Sequence, residues 1–403
     1  MLKKSSVMFF IFCAVLFAGD NLKPKVYIDC SYCDMDFIRT EITFVDYVIE
    51  RQAADVFIMI TTESTGGGGK KYTIEFKGRG SLENTNDMFK FDTSNDDTSD
   101  IVRNKIVRYL KLGLMRYITS SSISERINIS YIEEAEAEEV KDEWDSWVFR
   151  LGGNGYFNGR KTYESRFLSG YAGVNRVTEE WIFSLSFYFS HNFDNYKDYG
   201  LKVTSESKSS DISLVKSLTD HWSAGMVTGW SRSEYSNREN YLYIYPRIEY
   251  NIFPYSESNR RMLRIMYGIG ANYADYYETT IFDKDEELRY KQSLEAALSV
   301  KKEWGNIYLS LTGSSYLHDF EKRRFDSYSQ ISLRIVKGLS LNLSGGYSMI
   351  NDQIGLSAVG YTDEEILLQK REMATSYSYW SSVGFSYTFG SIYNNVVNPR
   401  FGN

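Results

Sequence analysis

Proline is scarce in this chain: 403 residues contain only Pro24, Pro246, Pro254 and Pro399. The residue that removes a ladder donor and fixes φ is thus missing from long stretches, which leaves room for uninterrupted strands. Histidine and cysteine number three each, too few and too scattered for a four-ligand zinc site. Beyond residue 18 no stretch reaches the ~18 consecutive apolar residues of a helical membrane span. Positive charge is not in excess either. The 46 Lys and Arg against 53 Asp and Glu leave −7, so no nucleic-acid partner is expected, and no motif calls for a cofactor.

Aromatic residues are plentiful, at 16% of the chain with 33 tyrosines. A tyrosine-rich, proline-poor chain is what alternating strands with one apolar face produce. The first residues set the compartment. Lys3 and Lys4 precede the apolar run Val7–Ala18, and Gly19-Asp20 follow. That is the layout of a secretory signal over 1–19, with an uncleaved anchor as the other reading.

The rest of the chain divides near residue 140. Residues 24–132 mix periods and predict a small α/β domain: a strand at 25–29, a helix at 34–51, a hairpin of 55–62 and 72–78, a strand at 88–92, a helix at 101–117 behind Thr98-Ser99-Asp100, and a closing strand at 127–132. Residues 133–145 carry eight acidic residues and one lysine, which reads as a solvated linker. After Trp147 helical periodicity fades. Runs of alternating apolar and small polar residues replace it, as in Leu339, Leu341, Leu343 and Tyr347 against Ser340, Asn342, Ser344 and Gly346.

Twelve such runs can be drawn: 147–157, 162–174, 181–191, 203–218, 222–232, 241–253, 262–277, 288–301, 307–317, 328–336, 339–349 and 375–389. Their polar face is mostly Ser, Gly, Thr and Asn and their other face is broadly aromatic. This suits confined water on one side and lipid on the other. The expected fold is mainly β: a 12-stranded antiparallel transmembrane β-barrel over 146–389, preceded by the α/β domain and followed by an extension, 390–403. Short connections alternate with longer, more charged ones, as at the periplasmic and outer faces of such barrels. Trp144, Trp147, Trp181, Trp222 and Trp304 all fall at the short-turn rim, where indoles rest at headgroup depth.

The last run, Ser382 to Phe389, resembles the assembly signal that closes bacterial outer-membrane β-barrel proteins: polar-x-Gly-x-x-apolar-x-apolar, carried by Gly384, Tyr387 and Phe389. The resemblance implies the barrel-assembly machinery as a partner and the outer membrane as the location. This chain departs from the pattern by continuing to Asn403. Residues 24–132 are similar, in element order and in Ala54-Asp55-Val56 before a hairpin, to the amino-terminal domain of TolB-type periplasmic proteins. That likeness implies a periplasmic domain with envelope proteins as partners.

Candidate sites follow from the same alternation. It predicts Arg150, Arg166, Arg247, Arg264 and Arg334 in the lumen with Glu164, Glu249, Glu295 and Lys301, because an Arg facing lipid at mid-depth costs roughly 2–4 kcal/mol. Either these charges line a narrow, weakly anion-favouring pore or they form an ion-pair network filling a closed barrel. Cys30 and Cys33 sit between a strand and a helix, but no cis-proline position accompanies them, so a structural disulfide is expected rather than redox chemistry. Gly66–Gly69 before Lys70-Lys71 lacks the Ser or Thr of a phosphate loop and reads as a flexible hairpin tip. His221 falls in a predicted periplasmic turn, the wrong side for rim chemistry, and His191 and His318, near the outer ends of two runs, have no serine or carboxylate spacing that marks a base. Residues 351–374 form the longest loop, either folded inward as a constriction or standing outside as a lid. The functional expectation is a non-enzymatic channel or scaffold. The alternative is a hydrolase at the outer rim.

Overall fold

The structure is a computed structural model that describes residues 23–119, 123–129, 142–336, 338–360, 371–391, 393, 395, 397, 398 and 400. The expected secretory signal, most of the acidic linker and residues 361–370 of the long loop lie outside the described residues.

The amino-terminal part contains β1 (Lys25–Asp29), α1 (Met35–Glu41), β2 (Asp46–Tyr47), β3 (Val56–Ser64), β4 (Lys70–Gly78), β5 (Asn86–Thr93) and α2 (Ser99–Ile118). The sheet runs β2-β1-β3-β4-β5; β1 is parallel to β2 and β3, and the other pairs are antiparallel. Alternate strand residues Val26, Val56, Ile58, Ile60, Ile74 and Phe76 pack under Ile38 of α1 and Ile106, Leu110 and Leu114 of α2. The start of α2 is fixed by Thr98, whose hydroxyl accepts the Ile101 N–H at 3.3 Å, with Asp100 in the first turn where the helix dipole favours it.

The first helix is shorter than its periodicity predicts, stopping at Glu41. The residues after it, Ile42-Thr43-Phe44-Val45, favour extended backbone. The chain then joins the free edge of β1, where Asp46 N–H donates to Pro24 O and Val48 N–H to Val26 O, both at 3.0 Å. No strand forms at 127–129, and the remainder of that expected strand lies outside the described residues. Cys30 and Cys33 are disulfide-bonded.

The second part is twelve strands: β6 (Trp147–Gly159), β7 (Tyr163–Val177), β8 (Trp181–Tyr196), β9 (Leu201–Ser217), β10 (Trp222–Ser233), β11 (Arg238–Asn251), β12 (Arg261–Asp275), β13 (Glu286–Lys302), β14 (Gly305–Tyr316), β15 (Arg323–Val336), β16 (Leu339–Ile350) and β17 (Tyr377–Tyr387). They form one sheet in sequence order, each antiparallel to the next. Several strands run beyond the predicted limits at the loop end: β8 continues to Tyr196, so the charged segment 192–200 is largely hairpin rather than loop. Length asymmetry between the two ends therefore rests mainly on 276–285 and 351–376.

The register sorts the side chains. Leu242, Ile244, Ile248, Ile265, Tyr267, Ile269, Leu294 and Leu311 share one face and are 40–53% exposed. Asn251, Asn272, Arg289 and Ala297 share the other, at 3% or less. A flat sheet would not bury one of its faces in this way, so the sheet is curled with its polar face inside. The α/β domain gives a second measure of the curl. It touches Val177 at the end of β7 through Gly66 and Arg334 of β15 through Asp29. In a flat sheet at ~4.8 Å per strand, those two strands would stand roughly 38 Å apart. Among the described residues no ladder joins β6 to β17. The cylinder therefore has a seam, bordered by the two most exposed strands.

Candidate functional site: an enclosed polar face with both mouths covered

The sheet of the α/β domain has helices on one side only, and its other face lies across the short-turn mouth. Register places Tyr27, Asp29, Phe57, Met59, Glu75 and Lys77 on this helix-free face. Phe57, Met59 and Glu75 are nevertheless buried: Tyr27 and Arg79 lie against the Phe57 ring, and the barrel's Arg260 reaches Glu75.

Four carboxylate–cation contacts hold the two parts together. Asp29 receives both terminal nitrogens of Arg334 at 2.6 Å, the two-pronged geometry in which a guanidinium binds a carboxylate best. Glu303, in the turn between β13 and β14, pairs with Lys77 at 3.1 Å and Arg79 at 2.7 Å. Arg51 donates to the Glu303 carbonyl, and Arg260 pairs with Glu75. The carboxyl-terminal extension returns to the same domain: Tyr47 N–H donates to Asn395 Oδ1 at 2.6 Å, Asn395 Nδ2 donates to Asp46 at 3.0 Å, and Tyr393 bridges Val48. The chain thus continues past Phe389 to brace the outer edge of β2.

The glycine run at the β3–β4 tip belongs to this junction, which corrects the flexible-tip reading. A Cβ on Gly66 would stand 2.4 Å from Val177 Cβ, and one on Gly68 would meet the Arg150 guanidinium. Gly68 also takes φ +80°, a left-handed conformation open chiefly to glycine. Close approach explains these two glycines, and it ties Arg150 to the domain.

Burial would raise the Glu303 carboxyl, but Lys77, Arg79 and Arg51 outweigh it and hold the group below its ordinary 4.5. A depressed carboxylate stabilises the docked state fully above that ordinary value, and the contribution is lost as pH falls through the docked value. Docking should therefore weaken below pH 4.5. The emission of the neighbouring Trp304 should report an acid transition that Glu303→Gln abolishes, leaving docking weaker at neutral pH. An unchanged transition in that variant contradicts this assignment.

At the opposite mouth the long loop crosses the opening. Asp352 pairs with Lys291 at 3.0 Å. Ile281 N–H donates to Leu356 O, and Ala358 N–H to Thr279 O. Asn237 donates to the carbonyls of Glu278 and Gly355 at 2.8 and 3.1 Å, and Glu372 N–H donates to Tyr235 O. The loop leaves β16 yet reaches the β10–β11 hairpin, six places away in the sheet order. Ile354 and Leu356 are buried. Of the two expectations for this loop, its described residues fit the lid. A polar cavity of about 550 Å³ lies among these loops.

Between the mouths, Arg264 stands between Glu249, 3.7 Å from its Nε, and Glu295, which contacts its Nη2. Tyr255 joins by donating to Glu249 at 3.0 Å. Tyr241, Tyr243 and Tyr245 follow along β11 with ring centroids 5.9 and 5.8 Å apart. Tyr243 donates to Asp211, and Tyr245 accepts from Asn272.

Of the residues predicted for the lumen, Arg150, Arg247, Glu249, Arg264, Glu295 and Arg334 share the enclosed face. Arg166 does not, and neither does Glu164. Register puts Arg166 beside Phe193 on the outer face, where it pairs with Glu164 at 2.8 Å and lies over the Phe193 ring at 5.6 Å. It sits near the loop end of β7, at the depth where an outward charge costs least. Alternation misleads here because β7 carries aromatics on its inner face, Tyr163, Phe167 and Tyr171, as well as apolar residues outside. The sequence reading missed Asp29, Glu75, Lys77, Arg79, Arg260 and Glu303, for which no pattern signal exists. It also missed the tyrosine row, which the spacing Tyr-Leu-Tyr-Ile-Tyr at 241–245 could have revealed.

Tyr387 and Phe389 stack at 5.5 Å on the outer side and are largely exposed. Trp147, Trp181, Trp222 and Trp304 are partly exposed at one rim; Arg176 lies 5.8 Å from the Trp147 ring and Lys216 5.1 Å from Trp181. His191 meets Glu206 at 3.3 Å, and His221 meets the Asn251 carbonyl. Among the described residues neither imidazole hydrogen-bonds a serine, threonine or cysteine side chain.

No protein-family model matches the sequence, and no curated protein matches it. Among solved structures it is similar to the NanC porin, seen in a rhombohedral crystal form, at 10% identity over 59% of this chain and 99% of the porin, with a TM-score of 0.29. A likeness at that score carries no argument, so the strand count, register and faces stand on this protein's own geometry.

Proposed function

We propose that the chain is an outer-membrane β-barrel forming a narrow conduit that is closed at rest, with its α/β domain on the periplasmic side as the stopper. One observation carries the reading: exposed aliphatic and aromatic side chains line one face of twelve strands, while the opposite face is enclosed, polar and ion-paired. Lipid against the first face and confined water against the second is the environment that satisfies both. The short-turn rim, with its indoles and nearby Arg176 and Lys216, suits the headgroup layer. In this reading the barrel-assembly machinery recognises the strand carrying Gly384, Tyr387 and Phe389, and envelope proteins meet the helical side of the domain. A hydrolase has no support in the histidine surroundings.

Planar-bilayer recording tests the proposal. The full chain should be nearly silent. Arg334→Ala combined with Glu303→Ala removes the neighbouring anchors that hold the stopper against β13 to β15 and should give discrete openings. Silence in both proteins would favour a scaffold, and steady conductance of the unaltered chain would contradict closure at rest.

A further inference from the structure

Between the stopper and the barrel wall lies a recess of about 460 Å³, formed by the enclosed ends of β13 to β17 and by the edge of the α/β sheet. That size suits a small solute. Its charge is one-sided. Lys301, Lys302 and Arg334 line it, against the single carboxylate of Asp29, and Arg334 engages both oxygens of that carboxylate. Lys301 is partly buried on the enclosed face. Among the described residues its ammonium has neither a hydrogen-bond nor an ion-pair partner. A partly desolvated cation without a counter-charge is unfavourable unless something anionic joins it. The neighbouring wall offers neutral partners: Asn306, Ser340, Asn342 and Ser386.

We propose that this recess binds a small oxyanion, a phosphate or carboxylate group, held by Lys301 with the surrounding amides and hydroxyls completing its hydrogen bonds. Lys301 supplies the point charge, and the hydroxyl and amide groups supply directional donors that chloride uses less well. This names a solute class for the conduit. It rests on the conduit reading for passage only, not for binding. Deeper in the barrel the charge of Arg264 is already offset by two carboxylates, Glu249 and Glu295.

The test is calorimetric titration of the full chain, in uncharged detergent, with inorganic phosphate, holding ionic strength constant with sodium chloride. Saturable binding is expected. Lys301→Gln should weaken it at least tenfold, and Lys301→Arg should retain it. A second arm replaces phosphate with phosphatidylglycerol mixed into the micelles. Equal titrations for wild type and Lys301→Gln overturn the proposal. So does a response confined to phosphatidylglycerol, which would assign the lysine to lipid headgroups. Should Lys301→Gln not fold, the wild-type protein decides alone: absence of saturation at constant ionic strength overturns the site. A chain that binds phosphate but never conducts contradicts the conduit and leaves the site standing. A conducting chain without binding does the reverse.

Discussion

Leu294→Arg is expected to destabilise the folded barrel in phospholipid vesicles by roughly 2–4 kcal/mol, the cost of an arginine facing hydrocarbon at mid-depth. Leu294 lies at the middle of β13, 53% exposed, with Tyr267 and Gly313 as its cross-strand partners. The comparison is Gln330→Arg. Gln330 is paired with Tyr308 and Ser344 on the opposite face of the sheet and is open enough to accept the longer side chain. There a charge meets water, and the change should stay within about 0.5 kcal/mol, as for ordinary exposed positions. Urea titration of the two variants measures both. Equal costs would mean that the faces do not differ in solvent.

Removing Arg264 should cost nearly as much. Its guanidinium separates two carboxylates on the strands that flank its own, β11 and β13, so Arg264→Met leaves Glu249 and Glu295 with no cation between them. Stripping one partner from a buried pair costs 3–5 kcal/mol. The side chains here keep 21–29% of their exposure, so the lower end, about 3 kcal/mol, applies. The triple variant with Glu249→Gln and Glu295→Gln should recover most of that loss, since removing a whole ionic group is often close to neutral. If the triple variant is no more stable than Arg264→Met, the loss comes from packing rather than charge.

The strand half was legible for a physical reason: a two-residue period imposed by different media on two faces is written into every strand, and Leu339 to Tyr347 shows it without help. Where both faces carry apolar or aromatic groups, as along β7, the period loses its sign and Arg166 is misplaced. Helix α1 failed differently. Apolar spacing continued to Ile49, but β-branched residues and the free edge of β1 took the chain into extended backbone. The stopper could not be read at all. Asp29 and Arg334 are separated by 305 residues, and an ion pair between domains leaves no periodic trace in either. Gly66–Gly69 carried a signal that alternation could not interpret, because glycine demanded by a close approach looks like glycine demanded by a turn.

The most direct measurement is quenching of tryptophan emission by phospholipids brominated at different depths. Trp147, Trp181, Trp222 and Trp304 sit at one rim and are open to the surroundings, so bromine near the glycerol end of the acyl chain should quench most and bromine near the chain terminus least. A folded monomer that remains in water, with emission indifferent to bromine at every depth, would contradict the membrane-spanning sheet and the conduit built on it.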